Sequence, residues 1–183
     1  MKIKIKIFEF KMDSRIRVTI LEMLNQRKYT EIKEEENRIM AIDNQGKIVC
    51  VFMEILVKLN VAEIKRKIVI MEEEKIPHTI IIHNQLDIPT SNVKGIIEQL
   101  PNLNMEIEAF PDSDLLINIT KHVYVPKHEV LSVEEGRNFR AKYGTDIQVL
   151  LKTDPISRFY NYRKGDIIEI TRKNGCIAYR IVK

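Results

Sequence analysis

The last third of the chain is punctuated so closely that few folds remain open to it. Ser132 is followed three residues later by Glu135, a spacing in which hydroxyl and carboxylate each satisfy a backbone N–H left orphaned at a helix start. It predicts a helix from about Val133 to Tyr143, and Gly144 behind it suits a chain that must turn to positive φ. Asp154 then stands directly before Pro155. A carboxylate at the cap, with proline at the first helical position where its missing N–H costs nothing, predicts a short second helix with Ile156, Phe159 and Tyr160 on one face. Asn161 can take the left-handed conformation that ends such a helix, and Lys164, Gly165 and Asp166 form the turn into a strand. Ile168 and Ile170 alternate with Glu169 and Thr171. Asn174 and Gly175 read as a two-residue hairpin loop, and Ile177, Tyr179 and Ile181 line the returning strand. These elements predict a small α+β unit.

The first two thirds read differently. Lys2, Lys4 and Lys6 alternate with Ile3, Ile5 and Ile7 as a strand with one wet face. Asp13 or Ser14 can cap a helix carrying Ile16, Ile20 and Leu24 to about Arg27. A charged stretch, Glu31 to Asn37, precedes two strands, Arg38 to Ile42 and Lys47 to Met53, around an Asp-Asn-Gln-Gly turn. Val61, Ile64, Ile68 and Met71 recur at helical spacing up to the acidic run Glu72 to Glu74; the strand Thr79 to His83 follows. Pro89, Thr90 and Ser91 open a helix through Leu100, and Met105 to Phe110 returns as a strand. Strands alternating with helices need crossover connections, so an α/β domain with a partly parallel sheet is expected over residues 1–113. The polar break Pro111 to Asp114 separates it from residues 114–183.

No run of about 18 apolar residues exists, and the alternating start lacks a signal peptide's apolar centre; a chain neither secreted nor membrane-spanning is expected. Cys50 and Cys176 are too few for a disulfide framework or a four-ligand zinc site and read as small buried hydrophobes in a reducing compartment. The triplet Asn118, Ile119, Thr120, expected on a strand, has no glycosylation meaning there. The net charge of +4 is uneven: residues 119–183 hold 13 Lys/Arg against 7 Asp/Glu, and residues 1–118 hold 17 against 19. The basic residues are spread singly, without a stripe, which disfavours autonomous nucleic-acid binding against docking on an acidic protein surface or mere solvation.

Autonomous catalysis has no support in the sequence. The four histidines, His78, His83, His122 and His128, show no metal-ligand spacing, and the six glycines form no phosphate loop. Glu63 and Lys65 have the Glu-x-Lys spacing of a metal-dependent nuclease, but they fall inside a helical pattern, and Glu9 to Lys11 and Glu31 to Lys33 share that spacing. A solvated helix face is the plainer reading. Thr90 and Ser91, with Lys94 a turn further in, could meet a phosphate at a helix N-terminus; structural capping is the plainer reading there too.

Three blocks, NITKHVYVPKH from Asn118 to His128, TDPISRFYNYRKGD from Thr153 to Asp166 and ITRKNGCIAYRIVK from Ile170 to Lys183, resemble in order and spacing a known module. It is the assembly domain of a smaller RNA polymerase subunit, the fifth subunit of eukaryotes and its archaeal counterpart, with relatives in large DNA viruses. The likeness is clearest in Ile-Thr-x-His, Val-Pro-Lys-His, Asp-Pro before Arg-x-Tyr, the Arg-Lys-Gly turn and the Ala-Tyr-Arg ending, and covers residues 114–183. Family members usually have glycine where this chain has Asn161, and a longer loop where it has Asn174 and Gly175. The first half is similar, more loosely, to the N-terminal jaw domain of the eukaryotic and viral members.

The resemblance implies a noncatalytic subunit of a DNA-directed RNA polymerase, without cofactor, metal, membrane or small-molecule substrate. It implies an inactive restriction-endonuclease-like sheet in the jaw and docking of the assembly domain on the largest subunit. The contacts it implies are Pro126, Lys127, His128, Asp154, Pro155, Arg158, Tyr160, Arg163, Gly165 and Arg180, of which Asp154, Pro155 and Gly165 serve fold more than contact. Thr90, Ser91 and Lys94 would lie near downstream DNA, reached through the complex. Such a chain works in the nucleus if cellular, and in host cytoplasm or virion if viral. A free-standing nucleic-acid-binding regulator is the alternative, with a nuclease behind it; neither explains the ordered blocks.

Overall fold

Asp13 accepts a hydrogen bond from the backbone N–H of Arg15 at 2.8 Å, and α1 (Ser14–Gln26) starts there, as its capping signal requires. The computed structural model describes residues 12–144 and 146–183; the strand expected over Lys2 to Ile7 lies outside them. Two compact units divide the chain between Ile117 and Asn118. The expected break at Pro111 to Asp114 is a 3-10 turn, Asp112–Leu115, held in the first unit because Leu115 is buried and the turn packs on α1.

In the first unit β1 (Tyr29–Glu35), β2 (Arg38–Asp43) and β3 (Ile48–Leu56) form an antiparallel meander. Then α2 (Val61–Glu73) crosses over to β4 (His78–His83), and α3 (Ser91–Gln99) to β5 (Glu106–Pro111), both strands parallel to β3. Sheet order is β1-β2-β3-β4-β5. All six residues of β4 are buried, as expected of a strand covered on both faces by its crossovers and neighbours. Ile64 and Met71 of α2 and Val93 of α3 pack with Cys50, Phe52, Ile81 and Ile107 from the sheet.

The charged stretch Glu31 to Asn37, to which the sequence assigned no element, is mostly β1, an edge strand whose Glu and Lys side chains stay in water while Tyr29 is buried. Charge on an edge strand blocks pairing with other chains, and it also hides the strand from a search for alternation. The hydroxyl of Thr90 makes no capping bond to α3, so the capping role expected of it is unfilled.

In the second unit β6 (Lys127–Val130), α4 (Val133–Tyr143), β7 (Val149–Leu150), α5 (Pro155–Tyr160), β8 (Ile167–Thr171) and β9 (Ile177–Val182) follow in order. The sheet order is β6-β8-β9-β7, antiparallel except for the short β7 beside β9. The capping box of Ser132 and Glu135 is present in both directions, at 3.2 and 2.8 Å. Asp154 Oδ1 accepts from the N–H of Ile156 at 2.8 Å, Pro155 opens α5, and Asn161 closes it at φ 52. Ile168, Ile170 and Val182 on one sheet face join Ile156 of α5, Leu150 and Tyr162 in the core. On the other face Phe139 of α4 meets Tyr179, ring centroids 4.7 Å apart, and Tyr179 donates to Glu169, its cross-strand partner.

Three local readings are corrected here. The hairpin loop has three residues: Gly175 alone is at positive φ (80), its N–H donates to Arg172 O, and Arg172 donates back to Cys176 O, closing Lys173 to Gly175. That is a type I turn with a glycine bulge, which Asn-Gly serves as well as a two-residue loop. Cys176 is therefore exposed beside the turn, whereas Cys50 is buried. The Asn118, Ile119, Thr120 triplet is a 3-10 turn (Ile119–Lys121), because Asn118 Oδ1 accepts from both the N–H and the hydroxyl of Thr120 and gives the backbone a local alternative to a ladder.

Candidate docking surface

Most of the residues implied as contacts lie on or beside β6 and α5, with Arg180 on β9. His128 lies opposite Ile170 in the β6–β8 ladder, so its ring shares the face covered by α5. Its Nδ1 is 2.8 Å from the Pro126 carbonyl and donates to it when the imidazole is neutral. Burial pushes the imidazole pKa down against the opposing pull of that bond and of Asp154, with Arg180 adding a like charge that also lowers it. The structure thus brings Pro126, Asp154 and Arg180 within electrostatic reach of His128.

Lys127 points to the opposite face of β6, where its Nζ pairs with Glu129 at 2.8 Å. Arg158 is half-buried on α5, and the Tyr160 ring stacks on Tyr162, centroids 5.2 Å apart. Tyr162 was not legible as a participant, yet its hydroxyl donates to the His128 carbonyl at 3.3 Å and its ring is buried in the core. The aromatic spacing of Phe159, Tyr160 and Tyr162 around a left-handed Asn161 was the available signal.

Arg163 and Gly165 stand apart from this group. They occupy the turn before β8, near the Val130 end of β6, where Gly165 at φ 93 donates to Val182 and accepts from Arg140 Nη2 at 2.5 Å. The backbone N–H of Arg163 donates to Asp166 at 2.6 Å, completing the turn.

In the first unit Thr90, Ser91 and Lys94 are all exposed at the start of α3. Glu63 and Lys65 lie on α2, and Glu63 is engaged by Arg66 at 2.7 Å, the solvated helix face expected of them. Among the described residues no group of three or more His, Cys, Asp or Glu side chains is placed to hold a metal ion. A feature that sequence spacing could not reveal lies deeper: Glu108 on β5 takes two hydrogen bonds from Arg27, at 2.6 and 2.9 Å, and one from His78 Nε2 at 2.7 Å. Tyr29 hydroxyl reaches His78 Nδ1 at 3.4 Å, and burial pushes its phenol up to about 12.

Residues 117–182 match the family model described as RNA polymerase Rpb5, C-terminal domain. Over nearly the full chain, a protein of Invertebrate iridescent virus 6 designated, provisionally, DNA-directed RNA polymerase subunit 454R is 32% identical across 180 residues, covering 88% of this chain and 95% of that protein. The chain belongs to the Rpb5 family of DNA-directed RNA polymerase subunits. Another Rpb5-family relative, the rpabc1 subunit of DNA-directed RNA polymerases I, II and III in Dictyostelium discoideum, is 29% identical over 187 residues, covering 91% of this chain and 94% of that one. The RPABC1 subunit of Caenorhabditis briggsae is 25% identical over 201 residues, covering 92% and 94%.

As an Rpb5-family member the chain is a noncatalytic subunit of a multisubunit DNA-directed RNA polymerase, acting in transcription. Among solved structures, a chain of the ATP-dependent Type ISP restriction-modification enzyme LlaBIII bound to DNA overlaps 80% of this chain and 12% of that one at 18% identity and a TM-score of 0.44, too distant to define a shared fold. No helix of the described residues is long and apolar enough to cross a membrane.

Proposed function

We propose that residues 114–183 dock the chain on the largest subunit of its RNA polymerase, and that residues 1–113 project as part of the jaw along downstream duplex DNA. The observation that carries the reading is the size of one core. In the unit Asn118–Lys183 one cluster holds Leu150, Ile156, Tyr162, Ile168, Ile170 and Val182 with four partly buried neighbours, and Phe159, Ile167 and Ile181 are buried besides. A core that small leaves a unit of this length marginal unless a partner covers more apolar surface. Val123, Tyr124, Val130, Leu151 and Ile177 offer such surface.

The contacts of this docking are assigned to Pro126, Lys127, His128, Arg158, Tyr160, Arg163 and Arg180, while Asp154, Pro155 and Gly165 shape the elements that present them. Replacing Arg158 by alanine is expected to weaken copurification with the largest subunit roughly tenfold, as loss of an arginine anchor does, and to leave the circular dichroism spectrum unchanged. Copurification at the wild-type level would contradict the assignment.

For the first unit, the succession of helix, three antiparallel strands, helix and parallel strand supports a restriction-endonuclease-like sheet. The engagement of Glu63 by Arg66 on a helix supports its being inactive as a nuclease. Thr90, Ser91 and Lys94 are proposed as the residues nearest DNA. Lys94→Glu should lower the affinity of the assembled polymerase for downstream duplex and flatten its log–log salt dependence by about one unit. Identical slopes in a salt titration would move the contact elsewhere. The chain acts in the nucleus if its owner is a cell, and in host cytoplasm or virion if it is a virus.

A further inference from the structure

Just before β6 begins to pair, the chain leaves a groove. Lys127 is the first residue of the β6–β8 ladder, opposite Thr171; on the far side of that pair, Val123 to Pro126 and the hairpin tip Arg172 to Asn174 diverge around a cavity of about 570 Å³. One wall is apolar: Val123, Tyr124, Val125 and Pro126, with Tyr124 87% and Val123 58% exposed. The other wall carries Arg172, Lys173 and Asn174. No carboxylate lines it, and the side chains of Arg172 and Lys173 have no acidic partner among the described residues, unlike nearby Lys127, which Glu129 neutralises.

Both walls are held by their own bonds. The N–H of Val125 donates to His122 O at 2.9 Å, and Val125 packs on the core of the second unit. Opposite, Gly175 N–H donates to Arg172 O at 2.9 Å and Cys176 N–H to Asn174 Oδ1 at 3.1 Å. A groove fixed in this way spares an incoming chain the cost of ordering it.

We propose that this groove receives an extended acidic segment of the polymerase subunit that holds the second unit. An apolar side chain of that segment lies on Tyr124 and Pro126, and adjoining carboxylates meet Arg172 and Lys173. The inference rests on the docking reading and adds the chemistry of the partner. Charge complementarity selects an acidic occupant, because two unneutralised cations face a cavity without a single acid. The run of four apolar residues against only two adjacent cations selects a peptide over a nucleic-acid strand, which needs a track of cations along its phosphates.

The test uses the full chain assembled into its polymerase. Tyr124→p-benzoylphenylalanine, irradiated in the purified complex, is expected to cross-link to one Asp/Glu-rich stretch of a neighbouring subunit, identified by mass spectrometry. The pair Arg172→Glu and Lys173→Glu, on an exposed tip, is expected to lower retention about tenfold at low salt and less at high salt. Cross-linking to nucleic acid, to a segment without acidic residues, or to nothing in the assembled complex would overturn the proposal, as would retention that ignores the charge reversal. Failure of the docking reading looks different: the wild-type chain itself would then not copurify with the largest subunit.

Discussion

Glu108→Ala is expected to lower the stability of the first unit by about 3 to 5 kcal/mol in chemical denaturation, the cost of leaving a buried charge without its partner. Side-chain exposure of Arg27 is 5%, of Glu108 12% and of His78 1%, so water cannot replace the lost carboxylate. Burial alone pushes the Glu108 carboxyl up, but the Arg27 charge and the hydrogen bonds from His78 and Arg27 outweigh it and hold the group well below its ordinary 4.5. With the folded-state value depressed, the ionised carboxylate contributes stability that is fully present above pH 4.5 and is lost progressively as pH falls from there through the lower folded value. The wild-type first unit should therefore lose stability steadily below pH 4.5, and the alanine variant should lack that part of its pH dependence. A variant within about 1 kcal/mol of wild type at neutral pH would show that Arg27 and His78 find other partners.

The second unit should respond to a smaller change. Ile168 is fully buried between β6 and β9, and Ile168→Ala removes three carbons from a small core. Cavity formation of that kind costs about 2 to 5 kcal/mol, which in a domain this size lowers the melting temperature by roughly 10 °C or more. Hydrogen exchange is expected to show β8 and β9 losing protection while β3 and β4 keep theirs, and the variant should fall away from the polymerase. Equal loosening of both sheets would mean that the two units unfold as one.

What the sequence made legible was local chemistry. The capping box at Ser132, the Asp154-Pro155 start and the turn at Asn161 work within three or four residues, and each stands where its residues require. Alternation at Ile168 and Ile170 and helical spacing at Ile64 and Met71 also survived, because packing rewards the same periodicity the backbone imposes. β1 escaped because an edge strand can keep its charges wet and so lacks alternation. The Arg27–Glu108 pair escaped because its members are 81 residues apart and meet only through the parallel sheet. Tyr162 escaped because its bond to the His128 carbonyl joins residues 34 apart, and the groove beside Tyr124 because it depends on where a hairpin tip falls relative to a segment some fifty residues earlier in the chain.

The hairpin turn has a practical corollary for handling the molecule. Of two thiols, Cys50 sits in the sheet, where burial raises its pKa to about 11 and leaves it inert, and Cys176 stands in solvent next to Asn174. A maleimide dye will consequently decorate one known spot per molecule, beside the hairpin tip that walls the Tyr124 cleft, without any engineered residue. Fluorescence from that spot reports directly on whatever fills the cleft when the transcription machine assembles.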